Sequence, residues 1–364
     1  IFTVHRWPWL PASTMTYMLH LHNKSVAELL GIAAVAVVAT TAPTAVAETH
    51  SPSNFVDAFV ESFHDPQRSP AGANEWDCVP SKDHPDPVVL IHGTWENAYD
   101  NWSWLAPQLA DDGYCVFAPN YGRAEILDKG GVGTVLPNTF GTGDITASAG
   151  EIESFVDRVL ETTGSRKVDL VGHSQGGLLA RQYLAFNGGA EKVDKAITLG
   201  ATNHGTTLSG LANLNRFIEG LGLDLDPALD YVIGEAGTQQ QYGSPLLAKL
   251  DERGDTVPGV DYTVVATRYD EVTTPYDSTF LTAGEGATVT NVTVQDGCAQ
   301  DHSDHISMSY SPRVIDIVRD ALDPGSVPEK RCTPNSPIMG GGTTEFTEGL
   351  TGPFGWLSEN ARPL

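Results

Sequence analysis

The stretch that decides the fold runs from residue 168 to residue 186 and reads VDLVGHSQGGLLARQYLAF. Its mostly apolar beginning is typical of a buried strand, and the residues from Gly177 onward are typical of a helix. Between them lies Gly172-His173-Ser174-Gln175-Gly176, which has the form G-x-S-x-G. Between a strand and a helix this motif holds its serine in a sharp turn, where side chains at either glycine would collide with neighbouring backbone. The stretch therefore predicts Ser174 as a nucleophile.

Apolar runs and amphipathic stretches alternate on both sides of this motif. The predicted strands are 88–91, 114–118, 168–171, 196–199, 262–266 and 289–294. The predicted helices are 102–109, 145–160, 177–186 and 314–322. Strands that alternate with helices form parallel βαβ units with both faces of the sheet covered. We therefore expect an α/β fold with a mostly parallel sheet of about six strands and helices on both faces.

The chain divides into four predicted segments. They are a leader (1–47), a polar, Pro-rich N-terminal segment (48–86), a catalytic domain (87–332) and a flexible C-terminal tail (333–364). Residues 207–250 interrupt the strand–helix alternation and are interpreted as an inserted cap. Within the cap, residues 211–218 have one apolar helical face, which fits either a helix packed permanently on the core or a lid over an acyl groove.

The leader has the order of a secretory signal peptide. A polar stretch at 19–24 precedes an apolar run at 29–39, and the small residues Ala45-Val46-Ala47 follow. The apolar run is too short to cross a bilayer as a helix. The sequence therefore predicts a secreted, extracellular protein with no integral membrane span.

Composition excludes several classes of partner. Apolar residues make up 40% of the chain, which is enough for a sizeable core. The 46 acidic residues outnumber the 21 basic ones and give a formal net charge of −25. A chain this acidic repels phosphate backbones and anionic lipid headgroups, so we expect no nucleic-acid partner. We expect the protein to be a monomer.

A nucleophilic serine needs a base, and three histidines follow Ser174 in the chain. His204 comes directly after a predicted strand, whereas His302 and His305 lie after the sixth strand and before the last helix. The base is expected after the last strand, in the order serine, acid, histidine. His305 is preferred over His302 because Ile306 can anchor its loop on the core.

The acid that orients this base is expected just after the fifth strand. Asp270 and Glu271 both lie there, and Asp270 is preferred because it is nearer the strand end. The acidic and histidine-rich run 301–305 also resembles a partial metal site, but it would need further ligands from elsewhere. No cofactor and no metal are expected.

The loop after the first predicted strand is the candidate oxyanion hole. It reads His92-Gly93-Thr94-Trp95, and its glycine lets the backbone turn inward. One N–H donor is expected from Thr94 and the other from Gln175, the residue after the nucleophile. His92 is interpreted as a structural imidazole bonded to loop backbone.

Four cysteines permit two disulfides in an exported protein, and they allow three pairings. We prefer Cys78–Cys115 and Cys298–Cys332, because each pair closes a short loop. No C-x-x-C spacing is present, so a zinc site is not expected.

Between about residue 75 and residue 332 the chain resembles the secreted bacterial triacylglycerol lipases often called class 2 lipases, within the α/β-hydrolase superfamily. The resemblance rests on the runs 87–94, 113–118, 167–177, 203–206, 266–272 and 303–305. It implies Ser174 as nucleophile, Asp270 as acid and His305 as base, and it implies no calcium requirement.

The expected substrate is therefore a lipid ester, met transiently at a lipid–water interface. The alternative is a carboxylesterase or polyester hydrolase that acts on short-chain or soluble esters with the same triad. A non-catalytic binding protein that keeps the fold is a further alternative, and loss of a triad residue would favour it.

Overall fold

The computed structural model describes residues 51–124, 137–207, 209–210 and 229–343, and for residues 229–233 it describes the backbone alone. The predicted signal peptide and the predicted cap helix at 211–218 lie outside these residues, as do residues 344–364 of the tail. None of the helices in the described ranges has the length and apolar character needed to cross a membrane.

One six-stranded sheet forms the centre of the fold. Its strands are β1 (Val88–Ile91), β2 (Val116–Phe117), β3 (Val168–His173), β4 (Val193–Leu199), β5 (Asp261–Ala266) and β6 (Thr288–Thr293). They lie in the order β2-β1-β3-β4-β5-β6, and every neighbouring pair is parallel. The predicted parallel α/β sheet is confirmed. Because all strands run the same way, their carboxyl ends share one edge, which is where ligands of such sheets bind.

Helices connect the strands and cover the sheet. They are α1 (Phe55–Ser62), α2 (Ala98–Trp102), α3 (Leu105–Asp111), α4 (Ile145–Thr163), α5 (Gln175–Phe186), α6 (Leu229–Gln239), α7 (Pro245–Asp251), α8 (Val294–Gly297) and α9 (Pro312–Leu322). Helix α6 is interrupted at Gly234, whose φ of 77° and ψ of 177° are not helical. Short 3₁₀ turns occupy Gly189–Glu191, Tyr276–Thr279 and Ser307–Tyr310.

Two apolar layers sandwich the sheet, and alternate strand residues point into opposite layers. On β1, Val89 and Ile91 pack with α4 and α5, whereas Val88 and Leu90 pack with α2, α3 and α9. All four side chains are fully buried. The continuous apolar run in the sequence is therefore explained by a strand covered on both faces.

The single helix predicted at 102–109 is wrong, because the chain forms two helices there. Helix α2 ends at Trp102 and α3 begins at Leu105. Proline has no backbone N–H and is tolerated only in the first turn of a helix. Pro107 is the third residue of α3, so a helix that continued from α2 would place it in the interior.

The segment before the catalytic domain holds a helix that the sequence pattern did not predict. Asn54 caps α1 by accepting a hydrogen bond from the Asp57 backbone N–H at 3.0 Å, and Phe55 and Phe59 are buried. Further along, Cys78 and Cys115 form a disulfide, which ties the segment to the chain just before β2. Cys298 and Cys332 form the second, so both preferred pairings are present.

The expectation of a loosely held tail does not hold for residues 333–343. Asn335 and Ser336 are buried, and the Asn335 carbonyl accepts a hydrogen bond from the His302 N–H at 3.0 Å. The Phe55 N–H donates to the Met339 carbonyl at 2.9 Å, which joins the tail to α1. The segment lacks the apolar periodicity that sequence patterns detect, because its attachment depends on polar residues such as Asn335.

The second half of the predicted cap contributes to the core. Helix α7 begins after Ser244, whose hydroxyl accepts a hydrogen bond from the Leu247 N–H at 3.3 Å. Its apolar residues Leu246, Leu247 and Leu250 are buried in the same layer as α4 and α5. Residues 245–251 are therefore packed on the core.

Candidate active site

Ser174 lies in the turn between β3 and α5, as its motif predicts. Its φ of 53° and ψ of −125° are sparsely populated for a residue with a side chain. The Ser174 N–H donates to the Leu199 carbonyl at 2.9 Å, which fixes the turn to the end of β4. Helix α5 begins at Gln175 and not at the predicted Gly177, because the chain reverses within one residue.

The glycines of the motif are required by close backbone contacts. A Cβ at Gly176 would lie 2.1 Å from the Ile91 carbonyl oxygen, and one at Gly172 would lie 2.6 Å from the Gly176 carbonyl carbon. Both distances are far inside van der Waals contact. The turn is therefore compressed between β1 and α5, and Ser174 sits at the carboxyl edge of the sheet.

The structure brings three of the predicted residues together. His305 Nε2 lies 2.8 Å from Ser174 Oγ, and His305 Nδ1 lies 2.9 and 3.0 Å from the two carboxylate oxygens of Asp270. Because a carboxylate only accepts, Nδ1 carries the proton of the neutral imidazole, and Nε2 is left to accept from the Ser174 hydroxyl. This is the arrangement that activates a serine for nucleophilic attack.

The candidate acid, Asp270, is held by the loop that follows β5. Asp270 Oδ1 accepts hydrogen bonds from the backbone N–H groups of Val272 at 3.0 Å and Thr273 at 2.7 Å. The Thr273 hydroxyl in turn donates to the Gly200 carbonyl at 2.8 Å, at the end of β4. The carboxylate is buried and has a fixed orientation towards the ring of His305.

The other histidine candidates do not reach Ser174. His302 is exposed, and its ring lies edge-on against Tyr269 with the centroids 5.1 Å apart. His204 binds Asp255 through Nε2 at 2.9 Å and the Ser278 carbonyl through Nδ1 at 2.7 Å. Neither contact involves the nucleophile.

The alternative acid, Glu271, lies behind the base and not beside its ring. Its Oε2 accepts a hydrogen bond from the His305 backbone N–H at 3.3 Å. Burial raises the pKa of Glu271 well above its usual value, and the charges of Asp304 and Asp270 raise it further. Glu271 therefore contacts the main chain of His305, whereas Asp270 contacts its imidazole.

Of the two predicted oxyanion donors, Thr94 lies in the loop after β1 and Gln175 is the first residue of α5. In the part of the chain that the structure describes, no group accepts a hydrogen bond from the backbone N–H of Thr94 or Gln175. The side chains of the two residues are in contact, since Gln175 Nε2 donates to Thr94 Oγ1 at 2.8 Å, and Gln175 Nε2 also donates to the Gly141 carbonyl at 2.7 Å. Gln240 Nε2 also donates to Thr94 Oγ1, at 3.0 Å.

His92 has the environment of a structural imidazole. It is fully buried, its Nδ1 lies 2.8 Å from the Gly93 carbonyl oxygen, and its ring stacks on Tyr121 with the centroids 4.3 Å apart. Burial lowers the pKa of His92 to about 4. The ring is therefore neutral at ordinary pH.

Two polar residues beside the triad were missed by sequence reasoning. Glu96 Oε2 accepts a hydrogen bond from the Gly93 N–H at 2.9 Å and lies 3.0 Å from His173 Nδ1. His173 Nε2 lies 2.8 Å from the His305 carbonyl oxygen. The only signal was position, because Glu96 closes the candidate oxyanion loop and His173 precedes the nucleophile.

Within the described ranges, two groups of side chains have the spacing to hold a metal ion. They are His204, Asp251 and Asp255, and Asp86, Asp169 and Asp194. The guanidinium of Arg181 contacts the first group and the ammonium of Lys195 contacts the second, so each already has a cation. In the run 301–305, Asp301 and Asp304 accept hydrogen bonds from Ser303, Ser307, Ser311 and the Ile338 N–H. These carboxylates are part of the loop's own framework.

Comparison with known proteins agrees with the architecture. A family model described as the alpha/beta hydrolase fold matches residues 86–218. The crystal structure of Aspergillus fumigatus lipase B aligns with a TM-score of 0.51 and 19% identity, over 72% of this chain and 57% of that one. The chain has the α/β-hydrolase fold.

Two curated triacylglycerol lipases are similar in sequence over part of the chain. One is from Pseudarthrobacter phenanthrenivorans and the other from Burkholderia plantarii, and each is 31% identical over 125 residues. The match covers 33% of this chain and 34% and 30% of the two relatives. The chain thus aligns with about a third of the length of these relatives.

Proposed function

We propose that the protein is a secreted serine hydrolase that cleaves carboxylic esters of lipids, as a triacylglycerol lipase does. The observation that carries the proposal is the hydrogen-bonded series from Ser174 Oγ through the His305 ring to the Asp270 carboxylate, with contacts of 2.8, 2.9 and 3.0 Å. It is supported by the curated name of the two relatives, which are triacylglycerol lipases.

The reaction follows from these positions. Ser174 Oγ attacks the ester carbonyl carbon while His305 Nε2 takes the hydroxyl proton, and Asp270 stabilises the imidazolium that forms. The N–H groups of Thr94 and Gln175 donate to the developing oxyanion, and one such donor lowers the barrier by about 2.7–4 kcal/mol. The proton on Nε2 passes to the departing alcohol. Water then hydrolyses the acyl-enzyme by the same roles in reverse.

An extracellular location is part of the proposal. It is supported by the two disulfides, Cys78–Cys115 and Cys298–Cys332, since such bonds persist in oxidising compartments. It also draws on the signal-peptide pattern of residues 1–47. We also expect the protein to be a monomer and to bind transiently at a lipid–water interface.

The decisive experiment measures hydrolysis of p-nitrophenyl esters from two to sixteen carbons, with and without emulsified triglyceride. The Ser174→Ala variant should lose at least about 10³-fold in kcat while its circular dichroism spectrum stays native. Near-normal turnover by this variant would refute the nucleophile. Activity that peaks on the shortest esters and ignores the emulsion would replace the lipase by the carboxylesterase or polyester hydrolase alternative.

A further inference from the structure

A pair of buried side chains behind the triad has no role in the reaction described above. Glu96 and His173 are 4% and 0% exposed, and they connect the Gly93 N–H to the His305 carbonyl oxygen. Each end of this connection lies next to a reacting group. Gly93 precedes Thr94, and His173 precedes Ser174.

The partners of His173 fix its protonation. One ring nitrogen faces the Glu96 carboxylate and the other faces the His305 carbonyl, and both of these groups only accept hydrogen bonds. Each nitrogen therefore carries a proton, and the ring is an imidazolium paired with a carboxylate. Burial alone would lower the pKa of His173, but the charge of Glu96 and the hydrogen bonds to Glu96 and His305 outweigh burial and raise it.

The amide of Asn101 contacts both Glu96 and His173. Asn101 Nδ2 lies 2.9 Å from His173 Nδ1, so two donors face each other in that orientation. Asn101 Oδ1, in contrast, has no hydrogen-bond partner among the described residues. Asn101 Nδ2 also donates to Glu96 Oε1 at 3.3 Å, so a half-turn rotation that placed Oδ1 against the ring N–H would also place it against the carboxylate. In either orientation the amide contacts both members of the pair.

We propose that Glu96 and His173 are positioning residues, a buried ion pair that holds the oxyanion loop, the nucleophile turn and the base in one fixed arrangement. The proposal rests on the function proposed above. Its physical reason is that Thr94, Ser174 and His305 belong to three different loops, each free to shift without a common anchor. A displacement of about 1 Å in a catalytic group reduces rate on the order of 10²-fold.

Paired variants at position 96 separate the geometric link from the charge. Glu96→Met fills the space but can neither accept from Gly93 nor bond to His173. Glu96→Gln keeps both links, because the one oxygen in the place of Oε2 accepts from the Gly93 N–H and from the Nδ1–H of His173. On a soluble p-nitrophenyl ester we expect kcat to fall about 10- to 100-fold in Glu96→Met, with KM nearly unchanged, and to recover in Glu96→Gln.

The matched control is the histidine–carboxylate pair of His204 and Asp255, whose contact of 2.9 Å lies outside the triad. Asp255→Leu should lower the melting temperature and leave kcat as in the wild type. A wild-type kcat in Glu96→Met would overturn the proposal. So would an equal loss of kcat in Asp255→Leu, because that would be an effect of destabilisation alone.

A measurement on the unaltered protein covers the case in which Glu96→Met does not fold. Nitrogen-15 NMR of labelled histidine, with His173 assigned through its hydrogen-bond coupling to the His305 carbonyl carbon, should show two ring N–H groups at neutral pH. A neutral His173 in an active enzyme would overturn the ion pair alone. A wild-type protein without esterase activity would instead overturn the proposed function and the kinetic effect that depends on it.

Discussion

Three side chains from three separate loops, Asp270, His305 and Ser174, form one hydrogen-bonded series. Asp270 holds Nδ1–H of His305, and Nε2 of the same ring then faces the Ser174 hydroxyl. Burial matters here, because an imidazole shielded from water exchanges its proton with the serine and not with solvent. Ser174 is 3% exposed and His305 is 1% exposed.

The base is tested by comparing two histidines of one loop. His305→Ala should lower kcat by at least about 10³-fold, as Ser174→Ala does, since residues that act as a unit fail together. His302→Ala should retain most activity, because its exposed ring contacts Tyr269 and not the nucleophile. Steady-state kinetics on a short p-nitrophenyl ester measures both. An inactive His302→Ala together with an active His305→Ala would reverse the assignment.

The sequence predicts these residues unequally well. Ser174 is marked by its glycines, and Asp270 and His305 are marked by their places after strands, so position along the chain is enough. Glu96 and His173 carry no such mark, because their contact joins residues 77 positions apart. Such a contact depends on how the loops pack in three dimensions, so the spacing of residues along the chain does not predict it.

Among the elements, the strand–turn–helix unit of β3 and α5 controls the site. Gly176 allows α5 to approach the end of β1, and Gly177 allows it to approach β4, where a Cβ would lie 2.4 Å from the Ala201 Cβ. Helical glycine normally costs about 0.5–1 kcal/mol relative to alanine. Here the close approach of the backbones outweighs that cost.

Two helical glycines give a matched test of this argument. Gly176→Ala should destabilise the protein severely, because its Cβ would lie 2.1 Å from the Ile91 carbonyl oxygen. Gly150→Ala, in α4, has no atom within 4 Å of the added Cβ and should stabilise by about 0.5–1 kcal/mol. Urea unfolding measures both free energies. Equal effects of the two substitutions would contradict the compressed turn.

Element boundaries show what the pattern of apolar residues leaves out. Strand β1 was predicted with its exact limits, because a strand covered on both faces reads as one apolar run. Strand β2 has only two residues of the predicted five, since the chain turns away after Phe117. Helix α1 was missed, although Asn54 and Asp57 mark its start, because polar and Pro-rich surroundings obscured its short apolar face.

For the whole molecule, buried titratable groups connect stability to pH. His92 is neutral in the folded protein with a pKa of about 4, whereas its ordinary value is 6.5. Between these two pH values the unfolded chain binds the proton and the folded chain does not. The contribution of His92 to stability is therefore complete above pH 6.5 and is lost as the pH falls towards 4.

This linkage predicts that the free energy of unfolding decreases as the pH falls, and that part of this decrease comes from His92. The free energy of unfolding should fall by about 3 kcal/mol through His92 alone between the two pKa values. His92→Asn keeps a donor for the Gly93 carbonyl but cannot titrate, so its stability should change less over the same range. Urea unfolding at several pH values gives the two slopes, and contributions from other groups cancel in their difference. Identical slopes would show that His92 does not titrate as described.

The C-terminal segment connects global stability to the site. Asn335 Nδ2 donates to Ser303 Oγ at 2.8 Å and to the Ser307 carbonyl at 3.3 Å, and its Oδ1 accepts from the Gly342 N–H at 2.8 Å. Ser303 and Ser307 flank His305 on either side. The tail thus holds the loop of the base from outside the sheet, after the Cys298–Cys332 disulfide has brought it near.

Removing this single side chain should affect both stability and catalysis. Asn335→Ala removes the hydrogen bonds to Ser303 Oγ, the Ser307 carbonyl and the Gly342 N–H, and each contributes about 0.5–1.5 kcal/mol. We expect a lower melting temperature and a lower kcat, because His305 loses part of its support. The control is Asn187→Ala, whose amide donates to the half-buried Glu153 at 3.1 Å, at the opposite end of α5 from Ser174. It should leave kcat unchanged. If Asn335→Ala matched this control in both melting temperature and kcat, the tail would be a surface attachment without influence on the base.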